Sequence, residues 1–77
     1  MEIKILVFGQ LEEMLGTNRL SLSDVVDTET LKNKLADLYP EINRIPYSIS
    51  VNKNIINSNH KLEDGDEVAL LPPFSGG

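Results

Sequence analysis

Apolar residues return at every second position near both ends of this chain and at helical spacing in its middle. Ile3, Ile5 and Val7 alternate with Lys4 and Leu6, which predicts a strand over Ile3–Phe8 with an apolar face. Gly9 ends it. Leu11 to Leu15, carrying Glu12 and Glu13, reads as a short helical turn halted at Gly16. Arg19–Ser23 alternates again and pairs with the first strand as in a hairpin. Leu31, Leu35, Leu38 and Tyr39 then stand at i, i+4, i+7 and i+8, one stripe for burial, and predict a helix over residues 28–39. Asp27 or Thr28 can cap its start, Glu29 suits the dipole of its first turn, and Pro40 bars its continuation.

The second half returns to strands. Tyr47, Ile49 and Val51 alternate with Ser48 and Ser50, giving one apolar and one polar face. Asn52-Lys53-Asn54 is a turn into the short apolar Ile55-Ile56, and Leu62 to Asp66 is a second turn. Glu67–Leu71 is the last strand. One amphipathic helix across one face of a mixed sheet is the β-grasp, ubiquitin-like arrangement, an α+β fold. Residues 1–71 are expected to form this domain and residues 72–77 an extended tail. Alternation also predicts a surface. With Ile3, Ile5 and Val7 facing the helix, Leu6 and Phe8 point to the open side of the sheet; with Val68 and Leu70 inward, Ala69 and Leu71 share that open side. If the first and last strands are neighbours, Phe8 and Leu71, joined by Ile55, form an exposed apolar patch suited to a partner.

The tail, Pro72-Pro73-Phe74-Ser75-Gly76-Gly77, carries the strongest chemical signal. Two prolines stop the strand ladder and favour an extended backbone, while the glycines make a tip without side chains that can enter a narrow channel. The reactive group is therefore expected to be the main-chain carboxylate of Gly77.

Composition narrows the classes. The 77 residues make one domain without a single cysteine, which excludes disulfides, a thiolate nucleophile and cysteine-based zinc sites. A net charge of −5 argues against nucleic acid and favours basic protein partners. No apolar run is long enough to span a bilayer, and Met1 to Lys4 lead straight into a strand pattern, so a cytoplasmic protein is expected. Glu63, Asp64, Asp66 and Glu67 lack the ligand spacing of a calcium loop, and Asp64-Gly65 reads as a tight turn. His60 has no metal or catalytic motif around it, Lys53 and Lys61 read as solvated, Ser75 has no histidine base, and Gly9 and Gly16 make no phosphate loop.

Leu6-Val7-Phe8-Gly9, the helix ending in Tyr39-Pro40, Val51-Asn52 before a turn, and the block Leu62 to Pro73 followed by the diglycine carry a resemblance. On them the whole chain resembles the small, sulfur-carrying subunits of molybdopterin synthase. Phe74 departs from that pattern, where a smaller aliphatic residue is usual. The resemblance implies that an adenylating activating enzyme uses ATP on the Gly77 carboxylate and that a sulfurtransferase system converts it to a thiocarboxylate, a C-terminal 1-thioglycine. It further implies insertion of the tail, including Pro72, Pro73, Phe74, Ser75 and Gly76, into a large synthase subunit within a heterotetramer. There the sulfur builds the dithiolene of molybdopterin from cyclic pyranopterin monophosphate. No resident cofactor is expected, and no catalysis by the chain alone. A ubiquitin-like protein modifier, or a sulfur carrier for thiamine or transfer-RNA thiolation, stands as the alternative.

Overall fold

The computed structural model describes residues 2–73; the expectations for Phe74, Ser75, Gly76 and Gly77 lie outside them. The order is β1 (Glu2–Val7), α1 (Gly9–Leu15), β2 (Arg19–Ser23), α2 (Thr28–Leu38), a 3-10 turn Pro40–Arg44, β3 (Ser48–Val51), β4 (Asn54–Ile56) and β5 (Val68–Leu71). The strands form one sheet in the order β2-β1-β5-β3-β4. β1 and β5 run parallel and every other neighbour is antiparallel. The first and last strands are thus adjacent near the middle of the sheet, which the pairing of Ile5 with Val68 and of Val7 with Leu70 fixes.

Strict alternation sets which face is covered. Ile3, Ile5, Val7, Leu22, Ile49, Val51, Val68 and Leu70 are all buried on the inner face. Leu31 and Leu35 of α2, Leu11 and Leu15 of α1, and Ile42 of the 3-10 turn close over them. Gly16 takes the left-handed conformation (φ +75°) and its N–H bonds the Glu12 carbonyl, so α1 stops where its glycine allows.

Asp27, not Thr28, caps α2. Its Oδ1 accepts from the Thr30 N–H at 2.8 Å, and its Oδ2 accepts from Asn59 Nδ2 at 3.2 Å. Asn59 Oδ1 in turn accepts from the Glu29 N–H at 2.9 Å, the Thr28 N–H donates to the His60 carbonyl, and the His60 N–H donates to the Thr28 hydroxyl. The helix start is thereby fastened to the segment before Leu62. The Thr30 hydroxyl also donates to Asp27 Oδ1, and this bond most of all, with those from the Thr30 N–H and Asn59, holds the Asp27 carboxyl below its usual range.

Several expectations are corrected. The helix ends at Leu38, one residue early, and Tyr39 is its C-cap. Leu38 is 60 % exposed, because the helix end lies beside Ser21–Ser23 of β2, the edge strand of the sheet. Tyr39 and the buried Ile42 continue the apolar stripe instead, on a turn that Pro40 starts with its preset φ and missing N–H. Strands β3 and β5 begin one residue later than expected, at Ser48 and Val68, leaving the half-buried Tyr47 packed on the core from outside the sheet. Ser50, expected on a wet polar face, is only 7 % exposed.

Candidate docking face and tail base

The uncovered side of the sheet is built from the odd partners of the same alternation. Strand register lines up Arg19 of β2, Leu6 of β1, Ala69 of β5, Ser50 of β3 and Ile55 of β4 in one row across all five strands. Two residues farther on, Leu71 pairs with Ser48. The Phe8 N–H bonds the Leu70 carbonyl at 3.3 Å, which carries the parallel ladder on and sets Phe8 beside Leu71.

Leu6, Phe8, Ser50, Ile55, Ala69 and Leu71, with Lys53 and Glu67 at the rim, line one shallow depression. Phe8 is 45 % and Ile55 55 % exposed, a concentration of apolar area that a surface rarely carries without a partner. Ser50 is buried here because Ala69 and Ile55 flank it on both neighbouring strands. Of the expected contact residues, the structure brings Phe8, Ile55 and Leu71 together, with Pro72 half-buried just beyond and Pro73 exposed. Leu6, Ala69, Ser50, Lys53 and Glu67 complete the depression; for the first two, the sequence signal was the parity of their positions.

The rim is held by two turns stitched together. Asn52 (φ +52°) and Lys53 (φ +71°) make the two-residue connection of β3 to β4, both in the left-handed region that this hairpin geometry demands. Asn52 exchanges bonds with the backbone of Glu67: its N–H donates to the Glu67 carbonyl at 2.7 Å and its Oδ1 accepts from the Glu67 N–H at 3.0 Å. Asp66 accepts from the Glu63 N–H at 2.8 Å and from Asn52 Nδ2 at 3.1 Å, which lowers its pKa from the ordinary value. Asp66 therefore serves as a turn brace.

The tail base has its own fit. Gly9 sits at φ +58°, and a Cβ built on it would stand 2.9 Å from Pro72 Cγ. The proline ring lies directly against that glycine.

A second depression, at the start of α2, is lined by Thr28, Glu29, Lys32 and Asn33, by Asn57 to Asn59, and by the apolar Ile49 and Ile56. Several of its polar groups are consumed by the helix cap, and it gathers no comparable apolar area. Among the described residues, no group of three or more His, Cys, Asp or Glu is placed to hold a metal ion. Among them also, no helix is long and apolar enough to cross a membrane.

A sequence model described as the ThiS family matches residues 5–77. The chain belongs to the ThiS family. It is 34 % identical to the molybdopterin synthase sulfur carrier subunit of Chlamydomonas reinhardtii, over the whole of both chains. Among solved structures, it is similar to the small archaeal modifier protein 1 of Methanosarcina acetivorans, at 30 % identity and a TM-score of 0.81, covering 99 % of this chain and 96 % of that one. It is similar as well to a complex of subunits 1 and 2 of molybdopterin-converting factor from Helicobacter pylori, at 25 % identity and a TM-score of 0.77 over the whole of both chains compared. The β-grasp fold expected from the order of elements is the fold of this ThiS-family chain.

Proposed function

We propose that this chain is the sulfur carrier subunit of a molybdopterin synthase, acting in the cytoplasm. The observation that supports the reading best is continuity: the apolar depression ends at Leu71, immediately before the residues that lead to Gly77. A partner that covers Phe8, Ile55 and Leu71 receives the tail in the same encounter. The full-length similarity to a sulfur carrier subunit supports the chemistry, and the Helicobacter complex supports a large-subunit partner.

In this reading the Gly77 carboxylate attacks the α-phosphate of ATP on an activating enzyme, releasing pyrophosphate and leaving an acyl adenylate. The terminal sulfur of a donor persulfide displaces AMP, and a thiol cleaves the resulting acyl disulfide to a thiocarboxylate. The large subunit then takes the tail, and the sulfur attacks cyclic pyranopterin monophosphate, displacing an oxygen. Water hydrolyses the resulting thioester, leaving the sulfur on the pterin and returning the Gly77 carboxylate, and two deliveries complete the dithiolene. Activation and transfer divide one difficult substitution into two easier ones. The carrier contributes a reactive atom and a docking face, while its partners supply the charge stabilisation.

The test combines chain bearing a Gly77 thiocarboxylate with a large synthase subunit and cyclic pyranopterin monophosphate. Dithiolene product is expected, and none from a chain lacking Gly77 whose circular dichroism is unchanged. A confirmed thiocarboxylate that yields no product would overturn the reading. The similarity to an archaeal modifier favours a second reading, in which Gly77 forms isopeptide bonds with lysines of other proteins. A ladder of adducts on the tagged chain in its own cells, lost with Gly77, would support that one.

A further inference from the structure

We propose that Gly9 is a positioning residue for the Gly77 carboxylate: it seats the Pro72 ring and so sets the line along which the tail leaves the sheet. The inference rests on the sulfur-carrier reading for its activity assay, though not for its geometry.

Three observations meet at this point. The ladder between β1 and β5 runs as far as the bond from the Phe8 N–H to the Leu70 carbonyl, and Pro72 has no N–H with which to extend it. The tail base is therefore left to side-chain packing. Next, the chain turns from β1 into α1 through a left-handed Gly9, which lays a bare Cα against Pro72. Finally, a methyl group on Gly9 would meet three ring atoms, Cγ at 2.9 Å, Cβ at 3.6 Å and Cδ at 3.7 Å. The first distance is shorter than a side-chain carbon tolerates. A flexible side chain could swing aside, but a proline ring is closed onto its own backbone. Beyond the small shift of Cγ that a change of ring pucker allows, moving the ring moves the backbone of Pro72, and with it the origin of the tail. Gly9 also follows Phe8 directly, so the docking face and the tail exit are registered to each other by one residue.

Gly16 provides the matched control. It is left-handed too (φ +75°), but nothing lies within 4 Å of where its Cβ would be. Gly16→Ala thus carries the backbone strain of Gly9→Ala without the collision. The experiment uses thiocarboxylated chains assembled with a molybdopterin synthase large subunit and compares wild type, Gly9→Ala, Gly16→Ala, Pro72→Ala and the double variant Gly9→Ala/Pro72→Ala. For Gly9→Ala the affinity for the large subunit is expected to stay within about threefold, since the patch is intact. Its rate of sulfur transfer is expected to fall at least about tenfold, because misplacing a reacting group by an ångström can cost roughly a hundredfold. Gly16→Ala keeps the wild-type rate, and Gly9→Ala costs less in the Pro72→Ala background than alone.

Equal rates for Gly9→Ala and Gly16→Ala would overturn the inference, as would a Gly9→Ala loss undiminished by removal of the ring. An inert wild-type thiocarboxylate would sink the sulfur-carrier reading instead. In that case the seat is read from NMR: Leu71 amide and Pro72 ring resonances shift in Gly9→Ala but not in Gly16→Ala, and shifts of equal size in both variants would overturn it.

Discussion

The two faces of the sheet are written in one alternation and put to opposite uses. On the inner side, Ile5, Val7, Val68 and Leu70 are at most 1 % exposed beneath the helices. On the outer side, Leu6, Phe8 and Ile55 are 36 %, 45 % and 55 % exposed, though they are no less apolar. A sheet needs only one buried face to hold together. Apolar residues kept on the other face lower solubility and invite edge or face association, and the proposed docking of a partner gives their presence a reason. The inner set answers for the fold; under the function proposed above the outer set answers for the partner, and substitutions can separate the two.

The largest separation is expected between Leu70→Ala and Phe8→Asp. Leu70 is fully buried at the centre of the core, and its truncation is expected to cost about 3 kcal/mol of stability through lost transfer energy and an unfilled cavity. That lowers the melting temperature by roughly 4–8 °C for each kcal/mol in a domain of this size. Phe8→Asp is expected to leave stability within about 0.5 kcal/mol of wild type, because the ring is already half in water. Its effect falls on the large subunit, where affinity should drop at least about thirtyfold, as for an anchor residue replaced by a charge. Thermal denaturation and titration calorimetry on both variants give the answer. If Phe8→Asp unfolded the domain, or bound as well as wild type, the division between faces would not stand.

The alternation that separates the faces was legible in the sequence, and so were the element order, the single long helix and the contribution of Phe8, Ile55 and Leu71 to one surface. What stayed hidden depends on neighbours from distant parts of the chain. Ser50 reads as a wet residue because it alternates with apolar ones; it is covered because β4 brings Ile55 to one side and β5 brings Ala69 to the other. Leu38 has the right phase for burial, yet its helix ends beside the edge strand. Pro40 announced the end of the helix without announcing the 3-10 turn it begins. Gly9 looked like a strand terminator, and only the parallel pairing of β1 with β5 gives its missing side chain a purpose.

A smaller effect tests the rim that joins the faces. Lys53 is held at φ +71° without the freedom of glycine. Lys53→Gly is expected to stabilise the domain by about 0.5 kcal/mol, the relief of left-handed strain less the added entropy of the unfolded chain. Asn52→Gly, at φ +52°, is expected to destabilise it, because Asn52 binds the Glu67 N–H and Asp66 through its side chain. Urea denaturation distinguishes them, and effects of the same sign would show that backbone strain alone governs this turn.

The smallest effect concerns the helix cap, far from the docking face, and depends on pH. The Asp27 carboxyl is lowered from its ordinary value of 3.8 by the Thr30 hydroxyl, the Thr30 N–H and Asn59. A carboxyl lowered by folding binds its proton more readily in the unfolded chain. Its contribution is therefore complete above the ordinary value and fades as pH falls through the lowered one. Asp66, lowered by the Glu63 N–H and Asn52, acts in the same direction. Asp27→Asn keeps an oxygen to accept from Thr30 and removes the charge. The stability gap between wild type and Asp27→Asn should be steady from pH 7 to about 5 and shrink below about 4, where the unfolded carboxyl takes up its proton. A gap of constant size down to pH 2 would mean that the cap works by shape alone. Sulfur transfer at neutral pH should be the same for both chains, since this cap fastens the covered side of the sheet.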